Sequence, residues 1–343
     1  LARDAYGVLS RQPKLGYRNE ENKFMPNMPH REALPIDPAK FQDPMVTAKG
    51  EERAVVALTR LSTVWFNTGS LCNITCKSCY MDSSPTNDAL VYLSFDDVRR
   101  YLDEIKSEGY PVDEIAFTGG EPFMNPALPD MLAESLGRGY RVLILSNAMK
   151  PMYHRRARLL ELRAKHGDAL AIRVSIDHFT QEKHEAIRGP GTWAPVIEGL
   201  RWLAKNGFNF AVAGRTCWDE TDAQARAGYA AFFAEHNIQI DAEDPARLVL
   251  FPEMDIVADV PEITVNCWDI LGIKPETIMC ATSRMVVRKK GADQPVVVPC
   301  TLLPYDDDFE LGVDLAQSAG GVRLNHPHCA KFCVLGGASC SPD

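Results

Sequence analysis

From Leu61 to Phe251 the chain alternates between two hydrophobic periods. Short apolar runs predict strands at Thr63-Val-Trp-Phe66, Glu114-Ile-Ala-Phe117, Arg141-Val-Leu-Ile-Leu145, Leu170 to Ile176, Phe208 to Ala213 and Leu248-Val-Leu-Phe251. Amphipathic stretches between them predict helices. The first starts after Ser94, an N-cap with Asp97 three residues on, and puts Val98, Leu102 and Ile105 on one face. Others are expected over 128–136, 155–166, 194–205 and 221–236, the third stopped by Asn206-Gly207. Six βα repeats predict an α/β fold: a partial (β/α)6 TIM-like barrel, two units short of the full ring.

The flanks read differently. Residues 1–58 are rich in Pro, Asn and charge, and predict an extended arm with little regular structure. Residues 59–255 carry the repeats. After about Asp255 the alternation fails, and 256–343 holds Cys267, Cys280, Cys300, Cys329, Cys333 and Cys340 among Gly and Pro breaks. Its apolar content is broken into short pieces, so this reads as a small C-terminal cysteine-rich domain that depends on metal to fold.

Composition narrows the function. The 343 residues carry a formal net charge of −9 and no dense Lys/Arg run, so no nucleic-acid partner is expected. No apolar run approaches ~20 residues, so no membrane span is expected. Leu1 to Tyr17 has no apolar core of a secretory signal. With no such signal, ten cysteines argue for metal or redox chemistry in the cytoplasm rather than disulfides.

Three of them stand in Leu71-Cys-Asn-Ile-Thr-Cys-Lys-Ser-Cys-Tyr80, spaced Cys-x3-Cys-x2-Cys. Four thiolates close a structural zinc or an ordinary [4Fe-4S] cluster. Cys72, Cys76 and Cys79 supply three corners and leave one iron open to a small molecule. A zinc knuckle borrowing a remote fourth ligand is the alternative. The spacing resembles that of the radical S-adenosylmethionine (SAM) enzymes, and further segments carry the likeness. Phe117-Thr-Gly-Gly-Glu-Pro122 is similar to the family's Gly-Gly-Glu motif, which receives the SAM amino group. Val174-Ser-Ile-Asp177, with Glu182-Lys-His-Glu-Ala-Ile-Arg-Gly189, is similar to its strand and loop that grip the SAM carboxylate. One departure is visible: the residue before the third cysteine, usually aromatic, is Ser78, and Tyr80 follows instead.

The resemblance implies a [4Fe-4S] cluster on Cys72, Cys76 and Cys79 that binds SAM, whose one-electron cleavage yields a 5′-deoxyadenosyl radical. It implies cofactor contacts from Thr118, Gly119, Gly120, Glu121, Asn147 (ribose), Ser175 and Arg188 (carboxylate). Gly119 and Gly120 would let the backbone approach the ligand. Cys280 and Cys300, with Cys329, Cys333 and Cys340, resemble a shortened SPASM or "twitch" extension and imply at least one auxiliary [4Fe-4S] cluster. A structural zinc on these ligands is the alternative, and His326 or His328 could join either metal. Cys217, after the fifth strand, is a candidate hydrogen-atom or electron donor, or else a buried small hydrophobe. The expected activity is hydrogen abstraction from a peptide, protein or small-metabolite substrate, with a flavodoxin- or ferredoxin-type electron donor. The alternatives are a non-catalytic iron–sulfur carrier and a zinc-binding protein. The segment ahead of the repeats is too short and proline-rich for the winged-helix leader-binding module of peptide-modifying relatives.

Overall fold

The computed structural model describes residues 35–252 and 258–337. Most of the expected N-terminal arm and the candidate ligand Cys340 lie outside the described residues. The elements in chain order begin with a short strand β1 (Val55–Val56), then β2 (Thr63–Asn67) and helix α1 (Phe95–Glu108). Next come β3 (Glu114–Thr118), α2 (Leu128–Gly137), β4 (Arg141–Ser146), α3 (Lys150–Tyr153), α4 (Arg156–His166) and β5 (Leu170–Ser175). They are followed by α5 (Gln181–Arg188), α6 (Trp193–Lys205), β6 (Asn209–Thr216), α7 (Asp222–Glu235) and β7 (Leu248–Pro252). The tail adds α8 (Cys267–Leu271), β8 (Ser283–Val287), β9 (Val296–Val298) and β10 (Val322–Arg323).

Strands β2 to β7 lie side by side in chain order, all parallel. All six strands expected from the sequence are present. Their side chains alternate with period two. Val64, Phe66, Ile115, Phe117, Ile144, Ile172 and Val212 face a core shared with Val98, Leu102, Leu132 and Leu200 of the helices. Trp65, Ala116, Leu143 and Ala213 face the opposite way, into a second core built largely by the tail. The capping box at α1 forms as expected: Asp97 N–H donates to Ser94 Oγ at 3.1 Å, and Ser94 N–H donates to Asp97 Oδ2 at 2.9 Å.

Three features depart from the sequence expectation. The stretch expected as one helix over 155–166 is preceded by a separate short helix, α3, begun by Lys150-Pro151, where proline suits a helix start. The segment expected as a carboxylate-gripping loop is helix α5. Its composition hid it, since only His184 and Ile187 of its eight residues are buried. The tail also does not stay outside the sheet. Its β8 pairs in parallel with β2, and β9 returns antiparallel on β8, which makes an eight-stranded mixed sheet. Met285-Val-Val287 and Val296-Val-Val298 are short but β-branched and almost wholly buried, which suffices once a neighbouring edge is offered.

The described part of the arm is tied to this tail. Strand β1 pairs with β10. Fully buried Arg53 forms a 2.6 Å ion pair with Glu262 and donates to the carbonyls of Asp43 and Val46. Among the described residues no helix is long and apolar enough to cross a membrane.

Candidate active site at the carboxyl ends of the strands

The carboxyl ends of parallel strands leave backbone and loop side chains facing a shared crevice. Here the loop after β2 brings Cys72, Cys76 and Cys79 into one pocket. Thr118, Gly119 and Gly120 from the end of β3 join them, with Asn147 after β4, and Ser175, Asp177 and Arg188 from β5 and α5. The sequence-predicted first site therefore assembles, apart from Glu121, which lies behind the pocket wall.

The cysteine loop is held by its backbone. Gly120 N–H donates to Gly69 O at 2.8 Å, and Glu121 N–H to Leu71 O at 3.1 Å. A Cβ at Gly120 would sit 2.2 Å from Leu71 O, and one at Gly119 would sit 2.5 Å from Gly69 O. A close approach to the cysteine loop thus demands glycine at both positions. On the other side Lys77 N–H donates to Ile187 O of α5 at 2.7 Å, and Arg215 Nη2 donates to Ser78 O at 3.0 Å. Ser78 has φ +53°, a left-handed conformation. Tyr80 lines the pocket, with the Arg215 guanidinium 4.5 Å from its ring centre and the Phe251 ring edge-on at 6.2 Å.

Glu121 braces the wall. Its Oε1 accepts from Ser146 Oγ (2.9 Å) and Phe123 N–H (3.2 Å), and its Oε2 from Asn147 N–H (2.9 Å). Burial pushes its carboxyl up to about 7 despite these donors. Asn147 donates from Nδ2 to Asn73 Oδ1 at 2.9 Å and accepts at Oδ1 from Met149 N–H, so it too ties β4 to the cysteine loop.

The charge pattern is the most specific feature. Arg188 reaches Asp177 with Nε (2.8 Å) and Nη2 (3.2 Å), while Arg215 Nε reaches Asp177 Oδ1 at 3.2 Å. Burial alone would raise the Asp177 carboxyl, but the two guanidiniums hold it below its ordinary range. Two cations share one carboxylate, which leaves a surplus positive charge at the pocket, and Arg173 lines the same wall. Arg173 and Arg215 were not singled out from the sequence. The available signal was a charged residue inside an otherwise apolar strand, as in Phe210-Ala-Val-Ala-Gly-Arg215.

The donor set fits a soft, thiolate-bound metal group. Burial pushes the Cys72 thiol up to about 12 and raises Cys76 as well, the latter opposed by Arg188. Metal binding must therefore displace protons, and a nearby cation assists that exchange. Among the described residues no three His, Cys, Asp or Glu side chains are drawn together in metal-holding reach.

The second cysteine set lies in the core between sheet and tail. Cys280, Cys300 and Cys329 are buried there, and half-buried Cys333 packs against them. Cys329 and Cys333 share a π-helical turn, Cys329–Val334. Burial first, then Cys300 and Cys280, raise the Cys329 thiol well above its ordinary value. Arg284, fully buried, donates to the carbonyls of Cys280 (2.6 Å), Ser283 (2.8 Å), Ser318 (2.9 Å) and Gly320 (3.0 Å). Two further candidates stand apart. Cys217 is half-buried beyond β6 and does not line the pocket. Cys267 Sγ accepts from Thr264 N–H at 3.3 Å at the start of α8. His326 and His328 stack on each other at 4.7 Å, and burial drives His328 down to about 3.

Comparison with known proteins agrees with this site. Antilisterial bacteriocin subtilosin biosynthesis protein AlbA of Bacillus subtilis (strain 168) is 29% identical over 143 residues, 41% of this chain and 30% of AlbA. AdoMet-dependent heme synthase of Oleidesulfovibrio alaskensis (strain ATCC BAA-1058 / DSM 17464 / G20) is 26% identical over 142 residues, 41% of this chain and 34% of the synthase. The chain thus matches about a third of the length of these curated relatives. The fold is similar to that of Streptococcus suis SuiB bound to S-adenosylmethionine, with a TM-score of 0.54 and 11% identity, over 74% of this chain and 63% of SuiB. Residues 66–225, from the end of β2 through the start of α7, match the model of the radical SAM superfamily.

Proposed function

We propose that the chain is a radical SAM enzyme built as a partial (β/α)6 barrel (59–255) with a tail (256–343) that carries at least one auxiliary iron–sulfur cluster. One observation carries the first part: three thiols, the Gly119-Gly120 strap and the Asp177–Arg188–Arg215 triad line a single pocket. Cys72, Cys76 and Cys79 would hold a [4Fe-4S] cluster that, with SAM bound, supplies one-electron cleavage to a 5′-deoxyadenosyl radical. The surplus charge of Arg188 and Arg215 attracts the SAM carboxylate, with Ser175 beside it. The strap at Thr118–Gly120 lines the amino-group side. Asn147, which donates from Nδ2 to Asn73 Oδ1 and at 3.9 Å to Cys72 Sγ, lines the pocket and would meet a ribose hydroxyl by giving up the longer contact. Tyr80 and Phe251 supply an apolar wall that excludes water from a reactive species.

For the tail, the supporting observation is Arg284. Its guanidinium is buried and hydrogen-bonded to carbonyls, with Cys280 and Cys300 as the neighbouring groups that could carry negative charge. Thiolates of an auxiliary [4Fe-4S] cluster on Cys280, Cys300 and Cys329, with Cys333 or Cys340, would neutralise it. The substrate is a peptide, a protein side chain or a small molecule. The names of AlbA and of the heme synthase point to one of each. A reduced flavodoxin or ferredoxin serves as electron donor. A cytoplasmic setting belongs to this reading because the thiols must stay reduced.

The test is anaerobic reconstitution followed by reduction with dithionite in the presence of SAM. About eight irons, four per cluster, should bind, and 5′-deoxyadenosine should form slowly even without substrate. Cys76→Ala should abolish cleavage and leave iron in the tail. Cleavage at the wild-type rate by that variant would refute the assignment.

A further inference from the structure

Beside the pocket, and sharing Ile74 of the cysteine loop with it, lies a second, open groove of ≈ 600 Å3. Its floor is apolar, formed by Ile74, Met124, Met149 and Pro151. Ile74 stands between Cys72 and Cys76 in the chain, and it lines both the groove and the pocket. Asn73, also in the groove, accepts the hydrogen bond from Asn147, whose Nδ2 is 3.9 Å from Cys72 Sγ. The groove therefore touches the metal-binding loop at Asn73 and Ile74, and apart from Ile74 its lining is separate from that of the pocket.

Its rim is basic. Lys150 begins the short helix α3, His154 caps its C-terminus and Arg155 follows at the start of α4. Further along, Arg156 pairs with Glu198 and Arg158 with Glu161, but no carboxylate of the described residues forms an ion pair with Lys150 or Arg155. This matters in a chain of net charge −9, which as a whole repels an acidic protein. A cationic rim around an apolar, methionine-bearing floor suits a partner with a ring of carboxylates around an apolar contact, held transiently.

We infer that this groove is the docking surface for the small acidic one-electron carrier protein that reduces the cluster site on Cys72, Cys76 and Cys79. The inference rests on the radical SAM reading above and adds the place of electron entry. At docking one electron leaves the carrier, which is oxidised by one, and the cluster site is reduced by one. No bond forms or breaks. A carrier seated in this groove would touch the loop at Asn73 and Ile74 without occupying the pocket.

The experiment compares two reductants on the reconstituted protein: an acidic flavodoxin, fully reduced, and dithionite. In the double variant Lys150→Glu/Arg155→Glu, flavodoxin-driven SAM cleavage at low salt should fall at least about tenfold, and dithionite-driven cleavage should be unchanged. Binding of oxidised flavodoxin, followed by calorimetry, should weaken by a similar factor. In the wild type both flavodoxin readouts should weaken as salt rises. A double variant that binds and uses flavodoxin like the wild type overturns the inference. Equal losses with both reductants would also overturn it, and would assign the groove to substrate or SAM. If dithionite drives no cleavage in the wild type, the radical SAM reading itself falls, and the docking surface with it.

Discussion

Cys72, Cys76 and Cys79 open onto a pocket whose lining includes two arginines sharing one carboxylate, whereas Cys280, Cys300 and Cys329 lie in an apolar core against an arginine bonded only to carbonyls. Both regions bring thiols and a guanidinium together, but by different means. The loop site is held by a glycine strap and a brace of hydrogen bonds around Glu121, with its apolar packing elsewhere. The tail site is held by the packing itself, among Trp65, Met285, Phe332 and Val334. The lesson is one of access. A site that must admit a ligand keeps its charge surplus at a surface crevice, and a site that need not admit one can bury it.

The sharpest way to break this contrast is Arg284→Met. Each buried acceptor left without a donor costs about 1–3 kcal/mol, and four carbonyls lose theirs here. Stability should fall by at least about 3 kcal/mol in chemical denaturation. A variant as stable as the wild type would mean that the guanidinium is not a structural part of the tail core.

Arg188→Ala should act in the opposite sense, on ligand more than on fold, because Asp177 keeps Arg215 as a partner. Losing one charge-assisted contact costs roughly 1.5–3 kcal/mol, about ten- to a hundredfold in SAM affinity. Equilibrium binding of SAM to the reconstituted variant measures it. Unchanged affinity would hand the carboxylate to Arg215 or Ser175.

The smallest effect is a slope. Glu121 has an ordinary value of 4.5 and is raised to about 7 by burial. A carboxyl raised on folding stabilises the fold fully below its unfolded value, and that contribution is lost as pH climbs through the folded one. The wild-type melting temperature should therefore fall between about pH 4.5 and 7 relative to Glu121→Gln, with the two profiles parallel below that window. Profiles parallel throughout would mean that the ionised carboxylate is fully compensated by Ser146, Phe123 and Asn147.

Much of this was legible in the chain itself. Period-two and period-3.6 patterns gave all six parallel strands and the main helices, because those signals arise from local burial. The Cys-x3-Cys-x2-Cys loop and Gly119-Gly120 were legible because their chemistry depends on short-range spacing. Helix α5 was not, since a helix with two buried residues in eight leaves almost no apolar trace. Nor was the contact that these glycines make with the cysteine loop, since Gly69 and Leu71 lie some 50 residues away in sequence and only the fold brings them together.

The sequence by itself determined the repeat, the cysteine spacing of the loop and the resemblance to the radical SAM superfamily, each of which rests on neighbours in the chain. Tertiary structure decided the rest. It set Arg188 and Arg215, 27 positions apart, on one buried carboxylate, because β6 pairs with β5 and runs past its end to bring Arg215 to Asp177, while α5 returns Arg188 to the same group. It folded the tail into the sheet beside β2, because short β-branched runs become strands only when an unpaired edge accepts their hydrogen bonds.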